Sequence, residues 1–279
     1  MTIKDQVAVV TGGGRGIGQA VAQALAGAGA SVAVMARSAS ELEATVALIA
    51  NAEGRARAFP ADVTDAEAVR SAMKEIEQTL GPVDLLINNA GTVKPFGPFW
   101  ETNIDEWWQG MDVNLRGVLL CTHAVLPGMV SRRRGTIINV ASGAGTGAVS
   151  PQYFSSYVTS KTALIRFSEC LAEETKPHGI TVFAISPGTV RTAMSEYSLN
   201  SPEGQKWLPW FRRIFDEGLD VPAERPSQLM LTLASGKANA LSGRFLSIMD
   251  DLDELLRNVT EIENENLYLL RMRKLQAPK

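Results

Sequence analysis

The sequence predicts an α/β protein of one domain: a doubly wound parallel sheet of about seven strands with helices on both faces. Three observations predict it. Short runs rich in β-forming residues recur along the chain, most of them continuously apolar, as in strands covered on both faces. Segments with helical apolar spacing lie between them, and such alternation builds parallel sheets through right-handed crossovers. A glycine-rich turn, TGGGRGIG at Thr11 to Gly18, joins the first strand to the first helix.

The strand runs are VAVV from Val7, SVAVM from Ser31, ARAF from Ala56 and VDLLI from Val83, followed by TIINV from Thr136, ITVFAI from Ile180 and RFLSI from Arg244. Among the helices, DAEAVRSAMKEIEQTL carries Val69, Met73, Ile76 and Leu80 on one stripe. Thr64 or Asp65 can cap its start, and Gly81-Pro82 ends it. A Rossmann-like catalytic domain is expected over residues 1–250. Within it, 193–225 is an insert outside the alternation, and 251–279 forms a helical extension. Leu252, Leu255, Leu256, Val259 and Ile262 make an apolar stripe there, expected to dock on the chain's own body or on a neighbouring subunit.

The 279 residues are 45% hydrophobic and 20% charged, with net charge −3 and mean hydropathy +0.00. That excludes disorder, and the acidic balance gives no global attraction for nucleic acid or an anionic membrane. Arg132-Arg133-Arg134 reads as a solvated loop before a strand. Cys121 and Cys170 fall in helical patterns and are expected to be small buried hydrophobes. No secretory signal is expected from the short VAVV run, and no stretch resembles a clean membrane span, so the cytoplasm is the expected compartment. His123 and His178 lack ligand-like partners, so no metal is expected.

The glycine turn carries the first chemical signal. Side chains at Gly12, Gly16 or Gly18 would obstruct the tight turn, a ligand's approach or helix packing. The helix beginning near Ile17 offers unpaired N–H groups and a positive dipole end to phosphates. After the second strand, neutral Ala36 stands where an acid would hold a ribose 2′-hydroxyl, and Arg37 follows. Guanidinium groups match phosphate bidentately, so Arg37 with Arg15 favours NADP(H) over NAD(H). The plain alternative is a solvated Arg37 and an Arg15 that only covers the adenine.

Tyr157 and Lys161, in YVTSK, are four residues apart and share a helical face. An ammonium beside a phenol favours the phenolate and would lower its pKa, making Tyr157 a usable general acid or base. NVAS closes the fifth strand run with Ser142, and NNAG (Asn88 to Gly91) closes the fourth. MDVNLRG carries Asn114, and SPGTVRT (Ser186 to Thr192) follows the sixth.

In type, order and location these motifs, with T-G-x-x-x-G-x-G at the start, resemble the short-chain dehydrogenase/reductase family over roughly Val7 to Thr192. The resemblance implies an NAD(P)-dependent oxidoreductase acting on a small-molecule carbonyl or alcohol, usually as a homo-oligomer (dimer or tetramer). It implies that Tyr157 exchanges a proton with the substrate oxygen, that Lys161 holds the nicotinamide ribose and tunes Tyr157, and that Ser142 stabilises the oxyanion. Asn114 would position a water linking Lys161 to solvent. Asp62 and Val63 would cradle the adenine, Asn89, Ala90 and Gly91 would line the ribose, and Pro187, Gly188, Val190 and Thr192 would bind the nicotinamide end. A non-catalytic dinucleotide sensor or scaffold is the competing class. Within enzymes, an epimerase or dehydratase also remains open.

Ser142 precedes Tyr157 by fifteen residues, slightly more than the family pattern, so GTGAVSPQYFSS is expected to carry a small insertion. All five tryptophans fall in two regions, and in KWLPWFRRIF the residues Trp207, Trp210, Phe211, Ile214 and Phe215 fall on one helical face. They suit either the underside of a lid over a bulky apolar or aromatic substrate, or plain packing.

Overall fold

The computed structural model describes residues 3–147 and 152–272. In chain order the elements are β1 (Val7–Thr11), α1 (Gly16–Gly27), β2 (Ser31–Ala36), α2 (Ala39–Asn51), β3 (Arg55–Pro60), α3 (Ala66–Leu80) and β4 (Val83–Asn88). Then come α4 (Ile104–Met111), α5 (Gly117–Arg132), β5 (Gly135–Val140), α6 (Ser155–Thr175) and β6 (Ile180–Ser186). The chain continues through α7 (Ala193–Asn200), α8 (Pro202–Trp207), α9 (Arg212–Asp216), α10 (Glu224–Ala234), β7 (Phe245–Ser247), α11 (Leu252–Arg257) and α12 (Val259–Asn264).

The seven strands lie in the order β3-β2-β1-β4-β5-β6-β7, all parallel. Strand order reverses between β1 and β4, which opens a crevice above their carboxyl ends. Continuous apolarity is explained by cover on both faces. Successive residues of β1 alternate between two cores: Ala8 and Val10 face one with Leu25, Leu42 and Leu233, while Val7 and Val9 face the other with Ile76, Val125 and Met129. Asp65, not Thr64, caps α3, accepting from the N–H groups of Glu67 (2.9 Å) and Ala68 (3.1 Å). Those two donors hold its carboxyl below the usual range.

Three expectations need correction. Helix α4, a π turn (Asp112–Arg116) and α5 form one run, Ile104–Arg132, that is long and apolar enough to cross a membrane by length and composition. Its residues Val118, Cys121, Val125 and Met129 are buried against the sheet, which makes it a core helix. Cys121 is buried, but Cys170 is exposed on the outer side of α6. The aromatic segment is not one helix: α8 stops at Trp207, and Pro209, which has no N–H to continue it, starts a 3-10 turn before α9.

The extension docks on its own chain. Leu255 and Ile262 are buried in the first core, with Leu252, Leu256 and Val259 packed against it. Beyond α12 the chain runs along edge strand β7. The Phe245 N–H donates to the Tyr268 carbonyl at 2.9 Å, and the Ser247 N–H donates to the Asp250 carboxylate at 2.6 Å. The Leu270 N–H donates to Glu169 Oε1 (2.6 Å) on α6, and Arg271 pairs with the same buried carboxylate at 3.2 Å. The expected extension also includes 273–279, which lie outside the described residues.

Candidate active site

At the crevice, Thr11 Oγ1 accepts from the N–H groups of Asn89 and Ala90, both at 3.0 Å, and ties the end of β1 to the end of β4. Asn89 Nδ2 donates to the carbonyls of Thr11 (3.0 Å) and Gly12 (3.3 Å). The glycine turn therefore rests directly on the chain leaving β4. A Cβ on Gly18 would stand 2.2 Å from the Gly12 carbonyl oxygen, so only glycine lets α1 approach this closely. Gly16 faces Thr192, whose methyl would lie 3.1 Å from a Cβ there. This brings the segment after β6 against the same turn.

The amino end of α1 is left open. Arg15 supplies no side-chain cap, and the first turn, which includes Ile17, holds no acidic residue. By contrast Ser38, Asp65 and Asn103 cap α2, α3 and α4 with their side chains, and each of those helices carries an acid in its first turn. Uncapped N–H groups beneath a cradle that a Cβ would fill fit a dinucleotide's pyrophosphate. Arg37 is exposed beyond β2 and pairs with no described residue. Arg15 pairs with Glu41 at 3.0 Å.

Tyr157 and Lys161 project from α6 toward the carboxyl end of β5. Ser142 lies just beyond that strand near the Tyr157 phenol, and its Oγ accepts from the Ala144 N–H at 3.2 Å. Lys161 Nζ donates to the Val140 carbonyl at 2.7 Å and lies 5.9 Å from the centre of the Tyr157 ring. Gly91 closes the group from β4: a Cβ there would meet Asn114 Oδ1 at 3.1 Å and Lys161 Nζ at 3.6 Å.

The expected pKa pattern is overturned for Tyr157. Burial pushes its phenol up, the nearby Ser142 hydroxyl pulls it down, and burial is the larger influence. Burial also pulls Lys161 down to about 8.

Asn114 sits in the π turn, with its side chain fully engaged. Oδ1 accepts from the Thr92 N–H (2.8 Å), and Nδ2 donates to the Thr92 carbonyl (2.8 Å) and to Ser160 Oγ (3.0 Å). Asp62 Oδ1 accepts from the Thr64 N–H and hydroxyl, at 2.9 and 2.8 Å, in a local turn beside buried Val63. Pro187 and Gly188 follow β6. Val190 bridges to Val221, and Thr192 caps α7 with Ser195.

Next to Tyr157 the surface is aromatic. Phe154 stacks on its ring at 5.7 Å and 18°, Trp210 lies 6.4 Å from Phe154, and Phe96 stacks on Tyr197 at 5.9 Å. Phe96, Phe154 and Leu208 are buried together, with Val93, Trp207 and Phe211 against them. So Trp207, Trp210 and Phe211 join the aromatic cluster beside Tyr157, although a broken segment carries them. Sequence reasoning misses Phe154. Its only signal is an aromatic three residues before Tyr157, inside the stretch expected to carry an insertion. Residues 148–151 of that stretch lie outside the described residues. Among the described residues no group of three or more His, Cys, Asp or Glu could hold a metal.

The chain is similar to known proteins in sequence and in fold. A family model for short chain dehydrogenase matches residues 6–202. A short chain dehydrogenase of Pseudocercospora fijiensis is 32% identical over 96% of this chain and 89% of its own length. The 2,3-dihydro-2,3-dihydroxybenzoate dehydrogenase of Bacillus subtilis is 34% identical over 86% of this chain and 93% of its own. A short-chain type dehydrogenase/reductase from Mycobacterium marinum has a crystal structure that superposes with a TM-score of 0.80 at 32% identity, covering 88% of this chain and 94% of that one. The family match over residues 6–202, these relatives and the shared fold together make this chain a member of the short-chain dehydrogenase/reductase family of oxidoreductases.

Proposed function

We propose that the protein is an NADP(H)-dependent carbonyl reductase or alcohol dehydrogenase in which Tyr157 is the general acid and base. One observation carries the reading: Tyr157 and Lys161 share one face of α6 at the carboxyl end of β5, with the Lys161 amine 5.9 Å from the Tyr157 ring, on the same edge of the parallel sheet as the uncapped amino end of α1. When bound, the nicotinamide supplies or takes up the hydride. Tyr157 gives the substrate oxygen its proton in reduction and receives it in oxidation, while the Ser142 hydroxyl donates to the same oxygen as charge develops. Lys161 holds the ribose hydroxyls, and Asn114 positions a water that links Lys161 to solvent. Gly12, Gly16, Ile17 and Gly18 receive the pyrophosphate. Asp62 and Val63 flank the adenine, Asn89, Ala90 and Gly91 the ribose, and Pro187, Gly188, Val190 and Thr192 the nicotinamide.

The NADP(H) preference rests on Arg37, Arg15 and the neutral Ala36. Arg37→Ala is expected to weaken NADPH binding at least tenfold and NADH less than twofold, as titrated by cofactor-quenched tryptophan fluorescence; a bidentate charged contact is worth about this much. Equal losses for both cofactors would assign the protein to NAD(H).

Residues 193–225 act as a lid in this reading, and the substrate is a bulky apolar or aromatic ring compound. The Phe154 ring lies near-parallel to that of Tyr157 at 5.7 Å, and in this reading it forms one wall beside the incoming substrate carbonyl. The Bacillus subtilis relative is named for a ring substrate, 2,3-dihydro-2,3-dihydroxybenzoate. A ketone panel followed by NADPH absorbance tests the assignment. Phe154→Ala is expected to raise KM for bicyclic aromatic ketones about tenfold while leaving small aliphatic ketones unchanged, since a lost ring contact is worth roughly 0.5–1.5 kcal/mol beyond area burial. Parallel changes for both classes would remove Phe154 from substrate selection.

Two further parts of the reading concern the protein's setting. The free thiols of Cys121 and Cys170 suit a reducing cytoplasm. Exposed Phe99, Trp100, Ile104 and Trp108 suit contact with another subunit, since exposed apolar clusters of this kind mark association surfaces.

A further inference from the structure

The glycine turn has an acidic neighbour that none of the expected roles uses. Glu41 lies in the first turn of α2, and its side chain crosses to the turn after β1. Its Oε1 pairs with Arg15 at 3.0 Å, and a Cβ on Gly14 would stand 2.9 Å from Glu41 Cβ and 3.4 Å from Oε2. The carboxylate thus occupies the junction of three positive features: the uncapped amino end of α1, the amino end of α2 and the Arg15 guanidinium. That is the electrostatic position of a bound anion, and Arg37 emerges from β2 four residues earlier in the chain with no partner among the described residues.

We infer that Glu41 is a specificity-determining residue that holds Arg15 as an internal stand-in for the ribose 2′-phosphate and sets how strongly the protein prefers NADP(H). A 2′-phosphate bound by Arg15 and Arg37 must take the guanidinium from Glu41 and then remain beside its negative charge. With Glu41 in place the local charge of the two arginines and one carboxylate is +1; without it the charge is +2. A dinucleotide carrying a free 2′-hydroxyl has no such conflict. Both partners of the pair are substantially exposed, with 65% and 39% of their side-chain surface open, so the exchange is easy and the effect is graded. The inference rests on the NADP(H) reading, because it assigns Arg15 to the 2′-phosphate.

The test is binding, without turnover. Calorimetric titration of the full-length chain with 2′,5′-ADP and 5′-AMP, and with NADPH and NADH, compares wild type, Glu41→Gln and Glu41→Lys. Gln keeps the length that rests on Gly14 and removes the charge. Glu41→Gln is expected to tighten 2′,5′-ADP and NADPH about fivefold, the scale of one screened unit charge near a surface, and Lys more strongly. Affinity for 5′-AMP and NADH is expected to stay within twofold, and the gain to shrink as salt rises. Weaker 2′,5′-ADP binding in Glu41→Gln would make Glu41 an organiser of Arg15 and overturn the inference. Selective loss of NADH would make it a ribose-hydroxyl acceptor and overturn the inference as well. Unchanged binding of both ligands would leave Glu41 without a role in selection, which also refutes it. The NADP(H) reading fails separately, if wild type binds NADH more tightly than NADPH, so the wild-type ratio and the variant-to-wild-type ratio judge the two statements independently.

Discussion

Replacing Tyr157 with phenylalanine is expected to lower turnover at least 100-fold, within the roughly 10²–10⁴ range of a positioned proton donor, while NADPH affinity changes less than twofold. The ring supplies packing that Phe preserves, since the contact with Phe154 is between near-parallel, offset rings and is independent of the hydroxyl. Only the hydroxyl and the proton it gives to the substrate oxygen are removed. Because that interaction matters as charge develops on the substrate oxygen, kcat and kcat/KM should fall together with little change in KM. Steady-state kinetics on the most active ketone of the panel reads both parameters, and far-ultraviolet circular dichroism checks the fold. Turnover within threefold of wild type would take Tyr157 out of the chemistry.

Lys161→Met is expected to abolish turnover and yet stabilise the dinucleotide-free protein at pH 7. Lys161 is buried, at 4% exposure, and burial lowers its pKa from 10.5 to about 8. Between about pH 8 and 10.5 the unfolded chain keeps a proton that the folded chain has released, so stability rises with pH across that window. Below pH 8 the folded state carries a desolvated charge in full, a penalty of about 3 kcal/mol for a shift of this size. Met fills a similar volume without charge. It forfeits the bond to the Val140 carbonyl, worth about 1 kcal/mol, so the net gain at pH 7 is about 2 kcal/mol. Thermal melts of both proteins at pH 7 and pH 10 check this: the melting temperature of the variant should be higher at pH 7, and the advantage should vanish by pH 10. A variant that melts lower at pH 7 would show that the amine is accommodated without penalty. The same burial that destabilises the resting chain leaves an amine able to switch charge near neutral pH, the expected bargain between stability and activity at such a site.

Much of this is legible in the sequence because local rules and the fold agree. Continuous apolar runs place β1, β2 and β4 inside the sheet. Gly12 and Gly18 can be read as obligatory because a close backbone approach leaves no substitute. Motifs at the ends of β4, β5 and β6 converge because a parallel sheet brings all its strand ends to one edge. What could not be read depends on contacts between distant segments. The direction of the Tyr157 shift follows from burial under Phe154 and its neighbours, which a four-residue spacing does not contain. The pairing of Arg15 with Glu41 joins residues that are 26 apart. The aromatic stripe reads as one helix only while periodicity outweighs Pro209, whose missing N–H interrupts it. Cys170 fits a helical pattern but lies on the outer side of α6.

The last strand also decides how molecules of this protein can meet. An open sheet margin is a template on which a foreign strand can grow, and the short β7 would be a vulnerable one. Here the amides of Phe245 and Ser247 on that margin already have acceptors from the same polypeptide, at Tyr268 and Asp250. The sheet is thereby finished at that end. Neighbours, whether sister molecules or aggregating debris, find neither of those amides free to zip onto and must engage through other surfaces.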